Sequence, residues 1–363
     1  MKILNTVLVG LGRIGWKYHL PEILKHKGFK LSSIVEPLKE RRDEAFKLYG
    51  VKCFKDCVSL FSSGERPDLM VIASPTPFHM RQSLEAFKNG CDVFCDKPMA
   101  LSYAEAAKIF QGMKKYKKKF MLYQPHRGTE EFLSLKHVLS LDLIGQIYMI
   151  KRISSGYNIR NDWQSLKKYG GGMLNNYGAH YMDQLLRLRP SNVTKVFCIL
   201  RNVISAGDAE DLVKVLMETE EGLMLELEVN MASAHIMPPW QINGEYGSII
   251  LDREKKSWHV RYANKKDLCG IKLQKGVAAL NREYSNGKDI KWNEKEFEIS
   301  GFDKIDFYSK VYEHFALNMK PFVPIEETME LMRVFDLCRK SASKGKCISH
   351  VEIIKKTTQG VSK

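Results

Sequence analysis

No stretch of this 363-residue chain approaches the roughly 18 consecutive apolar residues of a membrane-spanning helix. The apolar run near the N-terminus, ending at Gly10, is too short for an export signal and has no small-residue cleavage site, so none is expected. There is no internal repeat, and low complexity is limited to one short lysine cluster. Zinc-finger spacing, basic-zipper heptads and aromatic RNA-binding motifs are missing, which argues against a nucleic-acid partner. The eight cysteines lack the C-x₂-C spacing of common zinc and redox sites; Cys53/Cys57 and Cys91/Cys95 are spaced C-x₃-C instead. They read as reduced structural thiols in a cytoplasmic protein, with no metal site expected. Acidic residues are in short supply, 42 against 57 basic ones. Of the net +15, +10 falls in residues 1–124 (22 basic, 12 acidic), a balance that favours anionic ligands such as nucleotides. The densest basic run, Lys114 to Lys119, closes an amphipathic helix, where cations suit the dipole.

The length predicts about two domains. Residues 1–124 alternate strand and helix patterns. Strands are expected at Thr6–Val9, Leu31–Val35, Asp68–Ala73, Asp92–Cys95 and Phe120–Tyr123, with helices over Phe78–Lys88 and after the capping box Ser102–Glu105. This is an α/β pattern: a doubly wound parallel sheet covered by helices. After Pro125 the pattern changes. Val213, Val215 and Met217 alternate before Glu220-Glu221-Gly222, and Leu225, Leu227 and Val229 alternate after it, as in an antiparallel hairpin with one buried face. Further strands are expected at Gln146–Ser154, Val193–Asn202, Ser248–Leu251 and Trp258–Tyr262. Helices are expected over Glu130–Leu141, Met173–Leu188, Lys304–Asn318 and Glu326–Ser343. Residues 125–363 therefore read as a second, α+β domain on a large, mostly antiparallel sheet. Residues 264–295 carry no readable pattern, and the tail after Lys355 is expected to fray.

Gly10-Leu11-Gly12-Arg13-Ile14-Gly15 follows the first strand and opens a helix. That context suits a dinucleotide pyrophosphate, which needs a tight turn, close backbone approach and a helix N-terminus. Glu36 closes the second strand, where a carboxylate accepts from the adenosine ribose and repels a 2′-phosphate; NAD is favoured, with NADP kept open by Arg41 and Arg42. Two more clusters sit at strand carboxyl ends, where open α/β sheets bind ligands. Ser74-Pro75-Thr76, with His79 one turn on, can wall a nicotinamide or ribose pocket. Asp96-Lys97-Pro98 puts an amine at the crevice, able to polarise an oxygen or share a proton. A third cluster runs from Gly170-Gly171-Gly172 into a helix, where Asn176, His180 and Asp183 fall on one face.

In this order and spacing, the motifs G-x-G-x-x-G, the strand-ending acid, Asp-Lys-Pro and G-G-G-x-L-x-N-x-G-x-H-x-x-D resemble the glucose–fructose oxidoreductase / inositol dehydrogenase / MocA (Gfo/Idh/MocA) family over essentially the whole chain. The resemblance implies an NAD(P)-dependent oxidoreductase acting on a secondary alcohol of a sugar, inositol or nucleotide sugar. It implies Lys97 and His180 as the catalytic pair, with His180 the general base and Lys97 stabilising the carbonyl oxygen. Arg127, Arg160, Trp163, Asn176 and Asp183 become candidate substrate contacts. Two departures stand out: Asp96 for the usual glutamate, and Asn176 for the aspartate expected four residues before the histidine. The family commonly pairs its second sheet between subunits, which implies a homodimer or homotetramer. A sensor of the same fold that binds the dinucleotide without turnover is the alternative.

Overall fold

The computed structural model describes residues 2–188, 191–268 and 290–349. Six parallel strands form the first sheet: β1 (Leu4–Val9), β2 (Phe29–Val35), β3 (Lys52–Phe54), β4 (Leu69–Ile72), β5 (Asp92–Cys95) and β6 (Phe120–Leu122). Their order, β3-β2-β1-β4-β5-β6, is that of a doubly wound dinucleotide-binding sheet. The strand order reverses between β1 and β4, and the crevice at their carboxyl ends is the expected ligand site. Between the strands lie α1 (Leu20–Lys25), α2 (Lys39–Tyr49), α3 (Cys57–Ser62), α4 (His79–Lys88) and α5 (Tyr103–Lys115). Ser102 caps α5 through the Glu105 N–H, as expected. Strand β3, only three residues long, was not foreseen.

The second sheet has nine strands: β7 (Ile147–Ser155), β8 (Val193–Arg201), β9 (Leu212–Thr219), β10 (Met224–Asn230), β11 (Trp240–Gly244), β12 (Gly247–Asp252), β13 (Ser257–Ala263), β14 (Trp292–Glu298) and β15 (Ile348–Ser349), in the order β14-β13-β12-β11-β7-β10-β9-β8-β15. The expected hairpin is β9–β10. All pairings are antiparallel except β7 with β10. The helices of this half are α6 (Glu130–Ser140), α7 (Tyr177–Leu188), the short α8 (Lys265–Leu268), α9 (Phe307–Phe315) and α10 (Ile325–Lys344). One sheet face is buried with α6, α7 and α10: Leu225, Leu227 and Val229 pack in the same core as Phe132, Leu185 and Phe335. The opposite face mixes Phe197, Leu216, Met224 and Ile250 with ion pairs from Lys214 to Glu226 and Glu228.

The two sequence halves do not keep separate cores. Phe307, Tyr308, Val311, Tyr312 and Phe315 of α9 complete the first core, with Phe307 stacked on Phe94. Apolar side chains between Phe307 and Met332 therefore pack with the first sheet, although they follow the second in sequence. Helix α10 faces both ways, since Met332 belongs to the first core and Leu331, Val334 and Phe335 to the second. The lobes are tied together by buried apolar surface rather than by a linker alone. The tail after Lys355 lies outside the described residues.

Candidate active site

The glycine loop is shaped by what its three glycines touch. Gly10 has φ +95°, and a Cβ there would lie 2.9 Å from the Ser74 nitrogen at the end of β4. A Cβ on Gly15 would run into the Gly10 carbonyl at 1.9 Å. These two glycines are required by the protein's own packing. Gly12 is different: a Cβ there meets nothing within 4 Å. Among the described residues its bareness serves no contact, and it leaves the backbone open to close approach by a phosphate. After the loop, a π-helical segment, Gly15–His19, leads into α1. The residues present thus fit a dinucleotide cradle.

Glu36 is buried at the end of β2. It accepts from the Leu11 N–H (2.7 Å) and the Leu38 N–H (3.0 Å), pinning the loop to the strand end. Arg41 stands 4.0 Å from its carboxylate, while Arg42 donates to the Glu36 and Pro37 carbonyls. Ser74 donates to Gln82, Thr76 is buried, and Pro75 precedes a short 3₁₀ turn, Thr76–Phe78. His79, expected among the cofactor contacts, faces two backbone carbonyls. It is buried, with Nε2 facing the Ser74 carbonyl (2.7 Å) and Nδ1 facing the Pro98 carbonyl (2.9 Å). The ring thus lies between the β4 loop and the β5 loop.

Lys97 comes after β5 and Asp96, whose carboxylate accepts from the Lys97 N–H. Its Nζ donates to the Asn176 carbonyl (2.9 Å) and to Asn176 Oδ1 (3.1 Å), reaching from the first lobe to the second. Burial pulls its pKa down to about 8; Asp96 opposes this, and the charges of Arg13 and Arg160 add to it. An aspartate at 176 would have given the ammonium a counter-charge, whereas the amide gives only a dipole.

The three polar residues expected as a stripe turn to different partners. Asn176 precedes the helix and turns to Lys97. Asp183 is buried and forks with Arg127: Nη2 to Oδ1 at 2.6 Å and Nε to Oδ2 at 2.7 Å. Arg127 also pairs with Glu327, which meets Arg187. Arg127 and Asp183, both expected to touch substrate, hold the turn after β6, α7 and α10 together. Arg160 forks with Asp162, drawing its carboxyl below the usual range. Trp163 is exposed beside them.

His180 is buried on α7. Its Nδ1 lies 3.1 Å from Gln124 Oε1, and its ring stacks on His126 at 3.9 Å between centroids, tilted by 30°. Burial, then the charges of Lys97 and His126, hold its pKa well below the usual histidine range. Burial, with the charges of Arg152 and Lys97, takes His126 down to about 4. These shifts favour the neutral form of both rings. The sequence reading passed over Gln124 and His126 in favour of Arg127; their place directly after β6, at the strand's carboxyl end, was the available signal. The glycine run packs closely beneath: Gly172 has φ +103°, and a Cβ there would strike the Glu210 carboxylate, which accepts from the Leu174 N–H.

Residues 4–124 match the oxidoreductase family with an NAD-binding Rossmann fold, and residues 132–250 match the GFO/IDH/MocA C-terminal domain. The chain belongs to the Gfo/Idh/MocA family. Among curated relatives, it is 23% identical over 186 residues to D-glucoside 3-dehydrogenase of Escherichia coli, covering 50% of this chain and 52% of the relative. The match thus spans about half of that relative's length. Among solved structures it is similar to an NAD-binding protein from Listeria innocua (TM-score 0.82, 24% identity, 96% of this chain and 100% of that one). It is also similar to the WlbA dehydrogenase of Bordetella pertussis in complex with NADH and UDP-GlcNAcA (TM-score 0.76, 21% identity, 96% and 99%). At these identities the structural likeness speaks to the fold.

Proposed function

We propose that this Gfo/Idh/MocA protein is an NAD-dependent dehydrogenase that oxidises a secondary alcohol of a carbohydrate-type substrate, with Lys97 and His180 as its acid–base pair. The observation that carries the reading is the bridge between lobes. Lys97 Nζ is bonded to Asn176, one helical turn before His180, and the Lys97 charge acts on the imidazole. On this reading an amine and an imidazole act together at the mouth of the dinucleotide crevice. The glycine loop and Glu36, with Ser74, Pro75 and Thr76, would hold NAD, and the nicotinamide supplies the hydride acceptor when bound. His180 takes the hydroxyl proton as the C–O single bond becomes a carbonyl. The Lys97 ammonium donates to that oxygen as negative charge develops on it. Arg13 and Arg160, whose charges reach Lys97, favour a substrate with an anionic group. Relatives named for glucoside oxidation and for a UDP-sugar complex support the carbohydrate class.

The test is the absorbance of reduced nicotinamide when purified protein and NAD meet a panel of sugars, inositols and nucleotide sugars. Turnover with a panel member, lost in Lys97→Ala and His180→Ala, is expected. Firm NAD binding with no turnover across the panel would favour the sensor. The half-apolar open face of the second sheet suits pairing with a second copy, giving a homodimer or homotetramer. A monomeric mass by light scattering at micromolar concentration contradicts that assembly. The seven described cysteines are free thiols, which suits a cytoplasmic setting; a disulfide recovered after thiol trapping in cells would argue otherwise.

A further inference from the structure

Gln124 is buried directly after β6, and every polar atom of its amide has an assigned partner. Its Nε2 lies 3.0 Å from the Ala179 carbonyl, and its Oε1 lies 3.1 Å from His180 Nδ1. A carbonyl only accepts hydrogen bonds, so the NH₂ group must face Ala179 and the amide oxygen must face the imidazole. An amide oxygen also only accepts, so Nδ1 must carry the proton. A neutral imidazole has one N–H, which leaves Nε2 bare. The chain of obligatory roles runs from one α7 carbonyl, through Gln124, to the neighbouring α7 side chain. On the other side, His126 stacks on the ring, and its own backbone carbonyl is held by Gln184 Nε2 at 2.9 Å. The ring is thereby fixed in plane and in tautomer.

We propose that Gln124 is a positioning residue that locks His180 in the Nδ1–H tautomer, so that Nε2 presents its lone pair to a substrate hydroxyl. This rests on the dehydrogenase reading above for the role of Nε2, but not for the tautomer itself. Removing the lock leaves the ring free to place its proton on Nε2, where it can no longer accept one. The groups facing the ring are Lys97 from the β5 loop and His126 from the turn after β6, with Arg152 of β7 acting on His126.

The experiment is NMR of isotope-labelled imidazole nitrogens in the NAD-bound full chain, with the His180 signals assigned by their loss in His180→Ala. Wild type is expected to show Nδ1 protonated and Nε2 bare. Gln124→Met, similar in volume but without the amide, is expected to shift the tautomer toward Nε2–H. It should lower kcat roughly 10²-fold, at the low end of what acid–base catalysis contributes, with KM moving less. Gln124→Glu keeps an oxygen for Nδ1–H; it should retain the tautomer and bring an acid limb into the kcat/KM profile that wild type lacks. A wild-type His180 protonated on Nε2 overturns the proposal, whatever the variants do. So does a Gln124→Met protein with unchanged tautomer and kcat. A protein that shows the stated tautomer but turns over no alcohol upholds the lock and overturns the dehydrogenase reading.

Discussion

The two ends of the site are made of different material. The cofactor end is backbone: Gly10 and Gly15 fit the chain's own packing, Gly12 stays bare, and Glu36 fastens the loop through two N–H groups. The chemistry end is side chain held by side chain: Lys97 on Asn176, His180 on Gln124 and His126, and Arg127 on Asp183 and Glu327. Backbone sites bind, because N–H groups and bare glycines recognise phosphate without changing protonation. Side-chain sites react, because their pKa values are set by neighbours. Lys97 at about 8 and His126 at about 4 show that displacement.

The difference can be broken at either end. The largest effect is expected from His180→Ala: a loss of roughly 10²–10⁴ in kcat with NAD affinity unchanged in titration. Equal losses in both would mean that the two ends are one structural unit. Arg127→Ala leaves Asp183 buried without its partner and should cost about 3–5 kcal/mol of stability in denaturant unfolding. Normal stability with a raised KM would return Arg127 to the substrate. Gly12→Ala tests the cofactor end alone: stability should stay within about 0.5 kcal/mol, while NAD affinity falls about tenfold, a loss of about 1.4 kcal/mol. Asn176→Asp adds a counter-charge to Lys97. With the ammonium as the proposed working form, kcat/KM should fall as pH rises through about 8 in wild type. The aspartate should move that limb upward by about one unit, and an unmoved limb would assign it to another group. The smallest effect is expected from Glu36→Ala, a drop in the preference for NAD over NADP. An unaltered ratio would limit Glu36 to the bonds it makes with Leu11 and Leu38.

The same division explains what was legible in the sequence. Glycine spacing after a strand is local, so the first sheet, its crevice and the loop could be read directly. The long buried strands and the β9–β10 hairpin carry periodicity and were legible too. Strand β3 is too short to show a period, and β14, with its largely exposed side chains, has no apolar stripe to reveal it. Helix α9 was readable as a helix, but nothing local says that its apolar face crosses to the other lobe's core. At the chemistry end, Lys97 and His180 were identified through the family's motif pattern, but their partners were not. Asn176, His180 and Asp183 share a spacing, yet they turn to Lys97, Gln124 and Arg127, 56 to 79 residues away in sequence. Helical spacing fixes which residues share a face; tertiary partners decide where their polar atoms go.

The most direct test is a crystal structure of the protein with NAD and a substrate found in the alcohol panel. One hydroxyl oxygen is expected within about 2.6–3.2 Å of both Lys97 Nζ and His180 Nε2, with its carbon facing the nicotinamide. A hydroxyl beyond the reach of either group, or an imidazole turned away from the crevice, would contradict the account.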